Sequence, residues 1–521
     1  MTGRRALTRA LDGIAALLGA GILAALAVPY ARPEDLFIAL VLVGGLRLLL
    51  RPLPVPAFDP WRLTVAATGA YALVFSFITI TRHLNLMTHA LDLGQYVQIV
   101  WSMATGQGPR MSLPEMHAWG DHLSPILWAL VPAFWIVPGP VTLLVAQSIA
   151  LALGAPAVYL LAQRRLGDDR LAALFAVLYL LNPTLQGMNV RDFHPAALAV
   201  PLLLWAFVAA EAGRALLFVG ALVLTLATRE DAAVAVVGVG LWLALGRRQW
   251  PAGAATAAGA FVVLWADTRW VIPAFRGEPY SHLGRYVAFG GSLLDVVLGV
   301  ALHPLRVLGA VATGDRLVYA LAMLAPLGFL PLLGPAELVG ALPGLAQNLL
   351  SRDPILFHHR TQYQSFVLPF FFLAAVAGAT RLRTRRPPAL AKAAFVLAVI
   401  ASLVLSSRMM NQFAVYRWWP DAGDRAAHRV LARVPAAAAV SAQDPYVPHL
   451  SLRPLVFVFP NGLDKCDHVL LNTESYPWRN LPGVTMRRER DSVLITVGTG
   501  GRVHTYTVAA EDGRHLLLRR R

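Results

Sequence analysis

Short ionisable clusters interrupt an otherwise apolar chain, and their residue types define the chemistry open to it. They are Asp92 with Gln95, Asp121-His122, Arg191-Asp192-Phe193-His194, Arg229-Glu230-Asp231, Arg285, and His358-His359-Arg360-Thr361-Gln362-Tyr363. Carboxylates and imidazoles can accept and return protons during a reaction. Guanidinium groups suit bidentate recognition of phosphate. Each cluster also has a plainer reading. An arginine can simply form an ion pair, Arg191 with Asp192 or Arg229 with a carboxylate of another loop. Asp92 can cap a helix beginning near Leu93. Asp121-His122 and His358-His359 could join Asp92 as ligands of zinc or manganese. No two-histidine spacing on one helix calls for an ion, and hydrogen-bonded loop histidines are the alternative. No cofactor is required, and a divalent metal is left open.

The elements that must position these groups are membrane helices. Of 521 residues, 57% are hydrophobic and only 14% charged, against about a quarter charged in soluble domains. Apolar runs of spanning length recur from residue 11 to residue 407. The formal net charge of +16 would point to nucleic acid in a soluble protein, but here the arginines cluster in short loops between apolar runs, as the positive-inside bias requires. The single cysteine, Cys466, excludes an internal disulfide and a cysteine-based metal site. Arg4, Arg5 and Arg9 precede the first apolar run, and Ala25-Leu26-Ala27 imitates a cleavage site. Because further spans follow at once, an uncleaved first helix is expected.

Candidate spans are 11–31, 35–50, 63–81, 140–163, 171–187, 195–211, 215–228, 232–246, 252–268, 316–333, 335–350, 365–380 and 389–407. This count puts Arg4/Arg5/Arg9, Arg51/Arg62, Arg164/Arg165/Arg170, Arg214, Arg247/Arg248 and Arg381/Arg383/Arg385/Arg386 on the cytoplasmic side. The proline-bearing segment 123–137 must then be re-entrant or half-buried, since a full crossing would put Arg164 and Arg165 outside. All the histidines then fall in external loops or the C-terminal region, and any chemistry belongs on the extracytoplasmic face. The expected organisation is two additional N-terminal helices (1–62), a transmembrane core (63–407) with external loops 82–125, 269–315 and 351–364, and an extracytoplasmic α/β domain (408–521). Loop 82–125 reads as a folded cap. Loop 269–315 carries Tyr280, His282, Arg285 and Tyr286, with Leu293–Leu302 as an interfacial helix. In the last domain, Asp421–Val434 reads as a helix, and Ala438–Ser441, Leu455–Phe459 and His468–Asn472 as strands. A hairpin of Ser492–Gly498 and Arg502–Val508 turns through Gly498-Thr499-Gly500-Gly501.

Several stretches together resemble a family of multispanning bacterial and archaeal membrane proteins, DUF2079. They are Leu91-Asp92-Leu93-Gly94-Gln95, Asp121-His122-Leu123-Ser124-Pro125, Asn189-Val190-Arg191-Asp192-Phe193-His194-Pro195, Arg229-Glu230-Asp231, His358–Tyr363, and Val440-Ser441-Ala442-Gln443-Asp444 with Pro448-His449-Leu450. The resemblance covers about residues 70–475. That family is in turn distantly similar to the GT-C membrane glycosyltransferases, which take a sugar from a polyprenyl-phosphate donor. The resemblance implies a mainly α, GT-C-like bundle of about thirteen spans with short helices in the external first loop. It also implies acidic residues in the first two external loops, and Asp92 and Asp192 stand at those places. Two helices precede the presumed first core helix, so Asp92 follows the third span rather than the first.

On that analogy Asp92 is the candidate base for the acceptor hydroxyl, with burial at the interface expected to raise its pKa; Asp192 and Glu230 complete the candidate catalytic set. Gln95, Asp121, His122, Arg191, His194, Arg229, Asp231, Arg285, His358, His359, Arg360 and Tyr363 are the candidate substrate-binding residues. Gln443-Asp444 and His449 read first as strand ends and helix caps, and second as an acceptor surface. The expected partners are the bilayer, the lipid-linked sugar and an envelope glycan, lipid or protein acceptor, without nucleic acid, in the cytoplasmic (inner) membrane with the N-terminus inside. Two other readings stand beside the enzyme. A transporter or flippase would place charges near the bilayer midplane on broken helices with repeat symmetry, whereas these clusters keep to one face. An active-site-like cavity joining Asp92, Asp192 and Glu230 would argue against a non-catalytic envelope-binding protein.

Overall fold

A computed structural model describes residues 2–51, 57–385, 388–474, 483–490, 492–498 and 501–521. Apolar runs become helices because a backbone in hydrocarbon must satisfy its own hydrogen bonds. The protein is mainly helical and multi-pass. Among the described residues, four helices are long and apolar enough to cross a bilayer: Arg5–Ala27, Pro60–Leu84, Pro140–Leu166 and Asp169–Val190. Counting each of the bent pairs Leu293–Leu302 with Pro304–Val311 (94°) and Ala389–Leu405 with Ser407–Phe413 (48°) as one span gives up to six.

Other predicted spans are present as shorter pieces, and prolines explain the breaks. The stretch predicted as 316–333 is a helix Gly314–Leu324 followed by 3-10 turns Ala325–Leu327 and Leu330–Leu333, with Gly328 and Phe329 both left-handed between them. Residues 335–350 are divided among Pro335–Leu338, Val339–Ala341 and Leu342–Leu349. Such interruptions survive at membrane depth where protein covers them, and the core cluster does so with Tyr179, Phe207, Trp242, Phe366 and Phe370. Small residues let helices approach. A Cβ on Gly240 would lie 2.6 Å from Gly253 O, so Ala232–Leu241 and Trp250–Ala266 pack backbone to backbone. The helix expected at Leu293–Leu302 forms, with Leu294, Val297, Leu298 and Leu302 exposed.

Loop 82–125 folds as expected of a cap. Its main helix is Gln95–Ala104, preceded by a wide turn Ala90–Gly94. The hairpin β1 (Arg110–Ser112) and β2 (Glu115–His117) follows, and residues 125–136 form a short helix, 3-10 over Pro125–Leu130 and α over Val131–Ile136, packed on Gln95–Ala104. At 1.5 Å per residue that piece is too short to cross a bilayer.

The C-terminal part is a helix, Ala422–Leu431, on a seven-stranded mixed sheet of order β4-β3-β5-β9-β8-β7-β6. Its strands are β3 (Val440–Ala442), β4 (Val456–Val458), β5 (His468–Asn472), β6 (Val484–Arg488), β7 (Val493–Val497), β8 (Arg502–Asp512) and β9 (His515–Arg520). β3 pairs in parallel with β4 and β5, and the remaining pairs are antiparallel. The sequence reading missed β6 and β9, and the predicted turn includes Thr499 and Gly500, which lie outside the described residues, as does Arg386. The β4 edge is covered by the cap. Ser112 Oγ donates to Val456 O (2.6 Å) and accepts from Val456 N (3.0 Å), while Gln98 Nε2 donates to Arg453 O and Pro454 O. Cap and sheet therefore form one continuous hydrogen-bonded unit.

Candidate active site

The helix Pro183–Val190 ends at Arg191, and the next residue carries the strain. Asp192 has φ +60°, a left-handed conformation that aspartate tolerates better than most residues. Gln147, isolated in an apolar helix and fully buried, holds the turn. Its Nε2 donates to Asp192 O (2.7 Å), and its Oε1 accepts from His194 N (2.8 Å). The Asp192 carboxylate accepts from His89 N (2.8 Å) and is only 3% exposed. Burial pushes its carboxyl up to about 6 against the pull of that N–H and of His89.

Asp92 lies on the same wide turn as Ala90, with a side chain 35% exposed. His194 Nε2 is 3.0 Å from Asp92 Oδ1, but the angle is not that of a hydrogen bond, and both ring nitrogens of His194 are buried without a hydrogen-bond partner. The expected rise in the Asp92 pKa is not found. Burial alone would raise it, but His194, Arg191 and His89 outweigh burial and hold the carboxyl below its usual value. Nor does Asp92 cap its helix. That role falls to Asp444 of the C-terminal part, whose Oδ1 accepts from Ala90 N (2.8 Å) and whose Oδ2 lies 2.7 Å from His89 Nδ1. The capping reading of Asp444 thus holds, but across the chain, at the turn that carries Asp92. Gly94 makes this approach feasible, since a Cβ there would meet Ser451 Oγ and Val447 Cγ1 at 3.2 Å.

A second group forms where the cap meets loop 269–315. Glu230 is fully buried with both oxygens engaged. Oε1 accepts from His122 Nδ1 (2.8 Å) and Tyr280 OH (2.8 Å), and Oε2 accepts from Leu123 N (3.1 Å). Ile126 N donates to Ala227 O (2.8 Å), fastening the short helix of residues 125–136 to the same turn. Burial disfavours both charges, yet the His122 charge holds the Glu230 carboxyl low and Glu230 in turn raises His122. The rings of His122 and His282 stack at 4.5 Å, and Asp121 accepts from Gln95 Nε2 (3.1 Å). Ligand atoms of Asp121, His122 and His282 lie within 4.8 Å of one another. His282 Nε2 is buried without a hydrogen-bond partner, and Glu230 behind His122 supplies the carboxylate–histidine support typical of metal ligands. The donor set fits a divalent ion. His358 and His359, expected to join it, stack on each other instead at 5.3 Å.

The arginines divide. Arg229 makes a bidentate pair with its neighbour Asp231 (2.5 and 2.6 Å), not with another loop, and lies over the Tyr363 ring. Arg285 donates to Tyr363 OH (3.2 Å) and faces Asp353 at 3.4 Å. Arg191 forms no ion pair with Asp192 and is exposed. Arg360 Nη2 reaches Met409 Sδ (3.4 Å).

A cavity of about 290 Å³ opens beside the second group. Its lining includes the polar residues His122, Asp231, Tyr280, His282, Arg285 and Gln347 and the apolar residues Val234, Val237, Phe261, Leu293, Val297 and Leu350. Asp92, Asp192 and Glu230 are not among its lining residues, so the three acids do not share it. Tyr96 couples the groups. Its buried ring meets that of His194 edge-on at 6.4 Å, and its hydroxyl feels Asp92, Asp121, Arg229 and Glu230. Sequence reasoning named Tyr280 and His282 only as loop residues and missed Gln147, which was legible as a lone amide in an apolar run.

The family model described as "Predicted membrane protein (DUF2079)" matches residues 82–493. No match is found among curated proteins. Among solved structures the chain is similar to ArnT from Cupriavidus metallidurans bound to undecaprenyl phosphate, with a TM-score of 0.48 and 15% identity over 87% of this chain and 97% of that one. The apo form of the same protein gives a TM-score of 0.48 and 14% identity over the same shares.

Proposed function

This chain belongs to the DUF2079 family of predicted membrane proteins, and from that premise we propose that it is a membrane glycosyltransferase moving a sugar from a polyprenyl-phosphate donor to an extracytoplasmic acceptor. The observation that carries the reading is the cavity of about 290 Å³, whose lining combines Arg285, His122, His282 and Tyr280 with many apolar side chains. An apolar tail and an anionic headgroup ask for that combination in one site.

In this reading the acceptor hydroxyl oxygen attacks the anomeric carbon. The bond from that carbon to the phosphate oxygen breaks, polyprenyl phosphate leaves with the electron pair, and the acceptor proton passes to Asp92. Because Asp92 is not in the cavity lining, the donor in this reading sits in the cavity and the acceptor on the Asp92 side. Asp92 suits the task by exposure, since Asp192 is more deeply buried and already accepts from His89 N. Asp192 then supplies charge behind Asp92, and Gln147 fixes the turn that places Asp192 and His194. Glu230 has no free oxygen for a substrate and acts as a positioning residue for His122. Arg285 meets the leaving phosphate. A divalent ion held by Asp121, His122 and His282 would add charge neutralisation at that phosphate.

One helix supports the orientation of this reading. Gln147 lies at the site, while Arg164 and Arg165 lie in the last turn of the same helix Pro140–Leu166. Seventeen residues of helix cover about 25 Å, close to a bilayer's hydrocarbon thickness of about 30 Å. With these arginines cytoplasmic, the site opens on the outer side of the cytoplasmic (inner) membrane, the N-terminus is inside, and residues 408–521 form an extracytoplasmic domain beyond the core of 63–407. Lipid-linked sugar profiling of a deletion strain tests the function. One polyprenyl-phosphate sugar should accumulate, and an unchanged profile would overturn the reading.

A further inference from the structure

Several arginines gather on the Asp192 side of the protein without a carboxylate ion pair among the described residues, and none of them lines the cavity. Arg360 packs over Gly187, where a Cβ would stand 2.5 Å from Arg360 Cβ. Arg191 follows Gly187 by four residues, one turn further along the same face. Arg360 Nη2 reaches Met409 Sδ, one residue after Arg408. Arg82 donates to Met87 O (3.1 Å) and Gln412 Oε1 (3.3 Å), and Arg417 Nη1 reaches Met87 Sδ (3.4 Å). Segments 82–89, 187–191, 358–360 and 408–417 thus bring their guanidinium groups to one place.

What those groups contact is the informative part. Their partners are sulfur, amide, carbonyl and the Tyr416 hydroxyl, and none of Arg82, Arg191, Arg360, Arg408 and Arg417 has a carboxylate ion pair among the described residues. Two acids are within electrostatic reach, Asp92 of Arg191 and Asp192 of Arg82, but neither forms an ion pair with them, and two carboxylates leave the five guanidinium groups with an excess of positive charge. Arg360 feels the like charges of Arg408 and Arg191, and His358 feels Arg191 and Arg360. Arg82, Arg360 and Arg417 are half-buried and Arg191 and Arg408 exposed, and like charges repel more strongly where protein replaces part of the water around them. Neutral acceptors orient them without relieving that repulsion, whereas a multivalent anion would relieve it.

We infer that Arg191, Arg360 and Arg408, flanked by Arg82 and Arg417, form a phosphate-binding site distinct from the cavity at Arg285. Its ligand is a phosphate group, carried either by a water-soluble molecule or by a lipid headgroup. The site stands independently of the glycosyltransferase reading, because it is argued without a donor or a reaction.

The test uses the full-length protein in uncharged detergent and in nanodiscs, with thermal unfolding as the readout. Inorganic phosphate, titrated at constant ionic strength against chloride, should raise the midpoint by a few degrees. Arg191→Gln and Arg408→Gln, at exposed positions with no hydrogen bond to lose, should each raise the half-saturating phosphate concentration about tenfold. Arg360→Gln should do the same, and Arg360→Lys should recover part of the response. Arg285→Gln should leave it intact. Phosphatidylglycerol nanodiscs stabilising the protein over phosphatidylcholine nanodiscs, in an Arg408-dependent way, would assign the phosphate to a headgroup. A response to inorganic phosphate alone would assign it to a soluble ligand. No response, an equal response in the Arg191 and Arg408 variants, or loss of the response only in Arg285→Gln would overturn the inference.

Discussion

His194 Nε2 stands 3.0 Å from Asp92 Oδ1, joining residues about a hundred positions apart in the chain. The contact changes how Asp92 is to be understood. A general base works best with a pKa near the operating pH, yet His194, Arg191 and His89 hold Asp92 low despite its burial. Asp92 is therefore a carboxylate kept charged and oriented, with the raised pKa displaced to its neighbour Asp192.

Asp92→Asn removes the proton acceptor while keeping size and shape. Transfer should fall by about 10²- to 10⁴-fold in kcat, with donor KM little changed. Full activity in a purified assay, or full complementation of a deletion strain, would remove Asp92 from the chemistry.

His194→Gln should release the hold on Asp92. With burial left as the leading influence, the Asp92 pKa rises, and the acid limb of the pH–rate profile moves to higher pH. A profile that keeps its position while kcat drops would mean that His194 serves only packing.

Asp192→Asn reads the buried carboxylate through stability. The folded pKa of about 6 lies above the unfolded carboxylate value of about 3.9. The stabilisation linked to its bound proton is thus complete below about pH 4 and is lost as pH rises through 6. The asparagine variant, which suits the left-handed backbone equally well, should gain on wild type by up to about 3 kcal/mol between pH 4 and pH 8. Unfolding midpoints with parallel pH dependence in the two proteins would refute the assignment.

Glu230→Ala strands the buried His122, Tyr280 OH and Leu123 N. Losing one partner of a buried pair costs on the order of 3 kcal/mol, and donor affinity should fall more than kcat if Glu230 only positions His122. A kcat loss as large as that of Asp92→Asn, at unchanged donor affinity, would make Glu230 a reacting group instead.

Arg170 and Arg502 are both exposed and mark the two sides of the proposed topology. In intact cells, Arg502→Cys should react with a membrane-impermeant maleimide, while Arg170→Cys should react only after permeabilisation. Cys466 is buried and adds little background. The reverse pattern would invert the orientation.

The apolar runs by themselves determined a mainly helical, multi-pass chain, because hydrocarbon permits few other structures and leaves a strong compositional trace. Turn chemistry and alternation located β5 to the residue, and the ordered motifs carried the family. The clusters were legible for a similar reason, since charge in an apolar chain stands out. Their partners were not. Arg229 chose Asp231, Asp92 found His194, and His282 replaced His358 and His359 beside His122, because contacts between distant segments depend on how helices and loops pack and leave no local signal. Tertiary structure also decided the pKa order of the two aspartates. Burial and neighbouring charge set that order, and both exist only once Gln147, His89 and Asp444 have closed around the turn at Asp192.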